Sequence, residues 1–133
     1  MRFEFATRQI ADYKVVTPVY EGPLDLLLQL IEQAELDITR LALAQVTNQY
    51  LEHLQSMPQR DPEEVSAFLV IAAKLLQVKS EALLPRPPVR EEGEEDPGEA
   101  LARQLIIYRR YKQIAEQLGE RSRQGLRCYL RLA

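Results

Sequence analysis

The sequence holds one cysteine, Cys128, and one histidine, His53. A single thiol excludes an internal disulfide, and a single imidazole excludes a histidine-rich metal site. Both scarcities suit a reducing compartment. The glycines, at 22, 93, 98, 119 and 125, are scattered, so no loop is built to cradle phosphate. Uninterrupted apolar runs such as 68–73 fall far short of the roughly 20 residues that cross a bilayer. Charges break up the N-terminal stretch MRFEFATRQIADYK where a secretory signal requires an apolar core. The expectation is a soluble cytoplasmic protein with no membrane contact. A net charge of −3 argues against a chain whose whole surface coats nucleic acid.

Catalytic chemistry is equally sparse. A nucleophile needs a base beside it, yet His53 falls on the polar part of a helix and Cys128 lies near the end of the chain. A solvated helix residue and an incidental thiol account for them better than a dyad. Glu63 and Glu64 sit at a helix start, where carboxylates meet the positive end of the dipole. The acidic run 91–96 lacks the rigid geometry that holds a cation. The chain is therefore expected to be no enzyme, with no catalytic, cofactor-binding or metal-binding residue and no small-molecule substrate.

What is present is helix. The 133 residues have room for one compact domain and an extension. Residues 13–20, YKVVTPVY, are β-branched and aromatic and suggest a short strand or extended lead-in broken by Pro18. Pro23 opens a first helix over about 23–35, its apolar face made by Leu24, Leu27, Leu28 and Ile31 and widened by Leu26 and Leu30. A second, over 41–56, carries Leu43, Thr47, Tyr50, Leu54 and Met57 and is closed by Pro58. Asp61, Pro62 and Glu64 signal the start of a third helix that runs to Leu84. Residues 85–100 hold four prolines, two glycines and six acidic side chains, and read as an exposed linker. Asp96-Pro97 then caps a helical arm, while Gly119 and Gly125 weaken the case for helix beyond 119. The fold class is mainly all-α: an N-terminal helical domain (1–84), a linker (85–96) and an arm (97–133).

Two of these helices are apolar over too wide an arc. On the third, Val65, Phe68, Leu69, Ala72, Leu76 and Leu83 form one stripe. Ile71, Leu75, Val78 and Ala82 form a second beside it. A helix in a small domain needs one face of about 100°. Either the domain encloses this helix on both sides, or part of it docks on a partner's helices. On the arm, Leu101, Leu105, Tyr108 and Ala115 make one stripe, and Ile107, Tyr111, Ile114 and Leu118 its neighbour. The acidic linker is expected to keep the arm from folding back, which leaves its stripes for helix-in-groove recognition. Residues 101–133 also carry eight basic against two acidic side chains. Arg109, Arg110, Lys112, Arg121, Arg123, Arg127 and Arg131 could touch phosphates, so a helical nucleic-acid-binding module is the alternative reading.

Three blocks resemble a known family. YEGPLDLLL at 20–28 with Leu30 and Ile31, QVTNQYL at 45–51 with Leu54, and FLVIAAKLL at 68–76 running to Leu83, Leu84 and Pro85 are similar to segregation and condensation protein A (ScpA), the bacterial kleisin family. Leu105, Tyr108, Tyr111, Lys112 and Ala115 match more loosely. The resemblance implies a non-enzymatic subunit of a chromosome-segregating SMC complex, cytoplasmic and nucleoid-associated, that reaches DNA only through the complex. It implies an N-terminal helical domain on the SMC coiled-coil neck, a central region on a ScpB dimer, and a C-terminal winged helix for which these 133 residues have no room. The resemblance implies an SMC surface in the region of the second and third helices, and periodicity selects Tyr50, Leu54, Ile71, Leu75, Val78 and Ala82 as the side that would form it. Leu101, Leu105, Tyr108, Tyr111, Ile114 and Leu118 are assigned to the ScpB surface.

Overall fold

The computed structural model describes residues 20–58 and 61–132. The expected lead-in strand at 13–19 lies outside them, and Tyr20 is in no regular element. Four helices follow: α1 (Pro23–Gln33), α2 (Arg40–Ser56), α3 (Pro62–Leu83) and α4 (Pro97–Arg123). The mainly all-α class holds, and each helix starts where its local chemistry says it should.

Proline occupies the first turn of α1, α3 and α4, where its missing N–H costs no hydrogen bond. Thr39 Oγ1 accepts the Ala42 amide at 3.1 Å, Asp61 accepts that of Glu63 at 3.3 Å, and Asp96 accepts that of Gly98 at 2.8 Å. Helix α1 lacks a capping side chain on Gly22, and Asp25 in its first turn accepts the Glu21 amide at 3.1 Å instead. Contrary to expectation, α4 passes through Gly119 to Arg123. It ends as Schellman geometry demands: Gly125 takes φ +78°, its amide donates to Ser122 O, and Leu126 N donates to Arg121 O. The same pair of bonds closes α1, with Glu35 in the left-handed region at φ 55°.

Helices α2 and α3 make the most extensive contact. A short connection joins them, Tyr50 meets Phe68 and Asn48 meets Lys79, so they run antiparallel. Helix α1 lies against both and is enclosed on nearly every side: Leu26, Leu27, Leu28, Leu30 and Ile31 are all buried. Full enclosure explains why its leucines do not respect a single stripe.

The arm does fold back. Leu101, Ala102 and Leu105 belong to the same core cluster as α1, α2 and α3, and α4 contacts all three helices. The linker makes this possible by ion pairing. Arg90 binds Glu81 at the end of α3 and lies 4.0 Å from Asp96, which pairs with Arg40 at the start of α2. The acidic linker therefore meets cations of this chain and holds the start of α4 in place. A Cβ on Gly98 would overlap the Arg40 side chain, which would have to move aside.

Candidate interaction surface

The two stripes of α3 have different neighbours. Ile71, Leu75 and Val78 face inward, with Leu75 at 0% exposure, and are covered by the chain's own helices. Tyr50, also fully buried, stacks on Phe68 and donates its hydroxyl to the Phe68 carbonyl at 2.8 Å. Burial pushes its phenol well above the usual range. The expectation that these four residues form a docking face is thus corrected, because each is already packed inside the molecule. Leu54 is half-buried against the core. Ala82 is exposed and is the penultimate residue of the helix.

Three side chains of the other stripe stand in solvent, Leu69 (53%), Leu76 (48%) and Leu83 (75%), while its Phe68 and Ala72 are buried; exposed Val70 belongs to neither stripe. The three leucines recur every seven residues, and exposed Ala73 lies between the first two. Sequence reasoning found this row but placed the partner surface on its neighbour. Both rows have the same residue types and the same period, so only the position of α2 distinguishes them. Lys79 donates to Asn48 at 2.6 Å where α2 crosses, at the edge of the buried face.

On α4 the expected surface divides differently. Leu101 and Leu105 are core and Tyr108 is partly buried against it, so none of the three lies free. Tyr111 (70%), Ile114 (52%) and Leu118 (60%) are exposed, and Ile107 (48%) extends them by one turn. These four sit at i, i+4, i+7 and i+11, one row on the side of the helix away from the core. Exposed Arg103, Arg110 and Arg121 run beside it at spacings of 7 and 11. Arg103 pairs with Glu95, whereas Arg110 and Arg121 have no ion-pair partner among the described residues. Beyond the helix, Leu126, Tyr129, Leu130 and Leu132 are also exposed.

One feature escaped sequence reasoning entirely. Asp25 is the only charged side chain buried among the described residues. Its carboxylate accepts Lys112 Nζ at 2.6 Å, the Glu21 amide and Gln29 Nε2, both at 3.1 Å. The bond from Lys112 joins α1 to α4 across 87 residues and raises the lysine pKa. The Asp25 charge also supports the raised phenols of Tyr108 and Tyr20, after burial itself. Nothing in a lysine four residues after a tyrosine identifies a carboxylate so distant in sequence.

The remaining chemistry-bearing residues are quiet. His53 lies edge-on to Tyr20, ring centres 5.7 Å apart, rather than standing in solvent. Cys128 is exposed. A shallow hollow lined by Tyr20, Glu21, Gly22, Pro23, Glu64, Ala67 and Phe68 contains no nucleophile and base together. Among the described residues, no helix is long and apolar enough to cross a membrane, and no group of three or more His, Cys, Asp or Glu is placed to hold a metal.

Sequence comparison extends over the same surfaces. The sequence model of the family "Segregation and condensation protein ScpA" matches residues 30–132. A segregation and condensation protein A from Oceanobacillus iheyensis is 45% identical over 123 residues, 90% of this chain and 49% of its own. One from Desulfitobacterium hafniense is 46% identical over 110 residues, 80% of this chain and 41% of its own. One from Halalkalibacterium halodurans is 43% identical over 125 residues, 90% and 48% respectively. The chain spans about half the length of the curated relatives it matches. With a family match over most of its residues and identity above 40% through both the core helices and the arm, the chain belongs to the segregation and condensation protein A (ScpA) family.

Proposed function

We propose that this chain is a non-catalytic bridging subunit of a bacterial SMC complex in chromosome segregation and condensation. It works in the cytoplasm at the nucleoid, with DNA reached only through the complex. The outward row of α4 is assigned to a ScpB dimer, and the exposed row of α3, together with Leu54 and Ala82, to the coiled-coil neck of SMC. ATP chemistry belongs to the SMC partner.

The observation that carries this reading is the α4 row. Ile107, Tyr111, Ile114 and Leu118 are about half exposed or more on a helix whose opposite side is already committed to the core. Burying a large apolar side chain gains roughly 1.5–3 kcal/mol, so such a row is suited to a helical groove on another chain. Size-exclusion chromatography with purified ScpB tests it. Ile114→Asp with Leu118→Asp should abolish co-elution with ScpB, leave helical circular dichroism intact and leave an SMC-neck complex intact. Leu76→Glu should do the converse. Undiminished ScpB binding by the first variant removes α4 from the interface.

A second reading rests on Arg110 and Arg121, without an ion-pair partner among the described residues, and on exposed Arg127 and Arg131. Direct nucleic-acid binding through them would weaken steeply with salt. Absence of DNA binding at low salt ends it.

A further inference from the structure

The inward row of α4 reads Leu101, Leu105, Tyr108, Lys112. Three of these meet the core as apolar or aromatic groups, and the fourth, at the same 4-3-4 spacing, is a cation. From Gln113 to Arg123 every residue but the partly covered Gly119 is exposed, so Lys112 is the last anchor before the helix leaves the body.

Apolar contact is non-directional and does not by itself set how far α4 is slid along α1. If α4 slides by one turn, Leu105 replaces Leu101 and Tyr108 replaces Leu105, and much of the burial survives. The pair Asp25–Lys112 would not survive. Two further bonds, from the Glu21 amide just before α1 and from Gln29 within it, hold the Asp25 carboxylate still, and its side chain is only 4% exposed. Sliding α4 one turn sets Tyr108 or Glu116 opposite it, leaving a buried carboxylate with no cation, or two carboxylates together. A lone buried polar contact that specifies register is the best-attested use of such pairs.

We propose that Asp25 and Lys112 are positioning residues: a register pin that fixes the axial placement of α4 and so the direction in which its outward row is presented. Tyr111 of that row is the residue next to Lys112, and the free segment 113–123 extends from the pinned turn. This deepens the bridging reading, since the pin determines where the second partner is met relative to the α3 row. It replaces a loosely tethered arm with a fixed strut.

The test uses the full chain without any partner, so its result is independent of whether ScpB binds. In a Cys128→Ser background, Gln77→Cys on α3 and Gln117→Cys on α4 carry spin labels for pulsed distance measurement. The parent should give one narrow distance, and Lys112→Arg should keep it. The double variant Asp25→Asn/Lys112→Met leaves no charge buried and decides the matter. It should stay helical by circular dichroism while acquiring a second population displaced by about one turn, roughly 5 Å, or a spread of that width. A single narrow distance in the double variant overturns the pin and makes the pair an ordinary neutralised charge. Loss of helical signal in the double variant overturns it too, because a register pin is dispensable for folding. A pin that passes alongside a chain that fails to bind ScpB sinks the bridging reading and leaves the pin standing.

Discussion

Helices α3 and α4 carry the same sequence signature and meet opposite fates. Each has two adjacent apolar stripes. On α3 Ile71, Leu75 and Val78 of one stripe are interior, while Leu69, Leu76 and Leu83 of the other face solvent and its Phe68 and Ala72 complete the core. On α4 the stripe with Leu101 and Leu105 is interior, but only over the first half of the helix, and Tyr111, Ile114 and Leu118 stand outside. The width of an apolar face reports how much covering a helix needs. Which side is covered from within depends on where its neighbours lie. Helix α3 packs along its length on α2, whereas α4 touches the body only as far as Lys112.

The largest contrast is expected between Leu75 and Leu118. Leu75→Ala should cost about 2–5 kcal/mol in urea denaturation followed by circular dichroism, and Leu75→Lys should leave no folded population. Leu118→Lys should change stability by no more than about 0.5 kcal/mol. Equal costs at the two positions would erase the distinction between covered and uncovered stripes.

A smaller effect separates the docked half of α4 from its projecting half. Gly98→Ala forces the Arg40 side chain aside and should cost about 1–3 kcal/mol. Hydrogen exchange should accelerate at 98–105 and stay unchanged at 113–123. Uniform acceleration would mean that the helix docks as one unit to its far end.

The smallest effect is a dependence on acid. Burial pushes the Asp96 carboxyl up, but the Gly98 amide and the Arg40 and Arg90 cations outweigh it, and the net value is below 3.8. A carboxyl lowered in the folded state contributes stability above its unfolded pKa, and that contribution fades as pH falls through the folded value. Amide exchange at the start of α4 should therefore quicken below about pH 3.8 before α3 responds. Simultaneous loss of both helices would show that the clasp has no separate role.

Much of this is legible in the sequence. Asp61-Pro62 and Asp96-Pro97 marked two helix starts because capping is settled by one side chain and the next few amides. The 107–111–114–118 row was legible because helical spacing is a matter of rotation alone. The sequence misled where several helices had to be placed together. An acidic linker next to a basic arm read as a spacer, yet Arg90 and Asp96 turn it into a clasp with Glu81 and Arg40, residues from two other helices. Gly119 read as a weak point, but an intact hydrogen-bond ladder carries α4 past it to the Gly125 stop.

By itself the sequence determined four helices, the Asp61 and Asp96 caps, the apolar rows and the family to which they belong, since all of these follow from neighbours within a few residues or from matched strings. Only the tertiary structure decided which row of α3 is interior, that the arm docks through Leu101 and Leu105, and that Lys112 reaches Asp25. The reason is physical. Burial gains free energy from any apolar surface that leaves water, whichever side it lies on, so the choice between two equivalent faces is made by where the other helices already are.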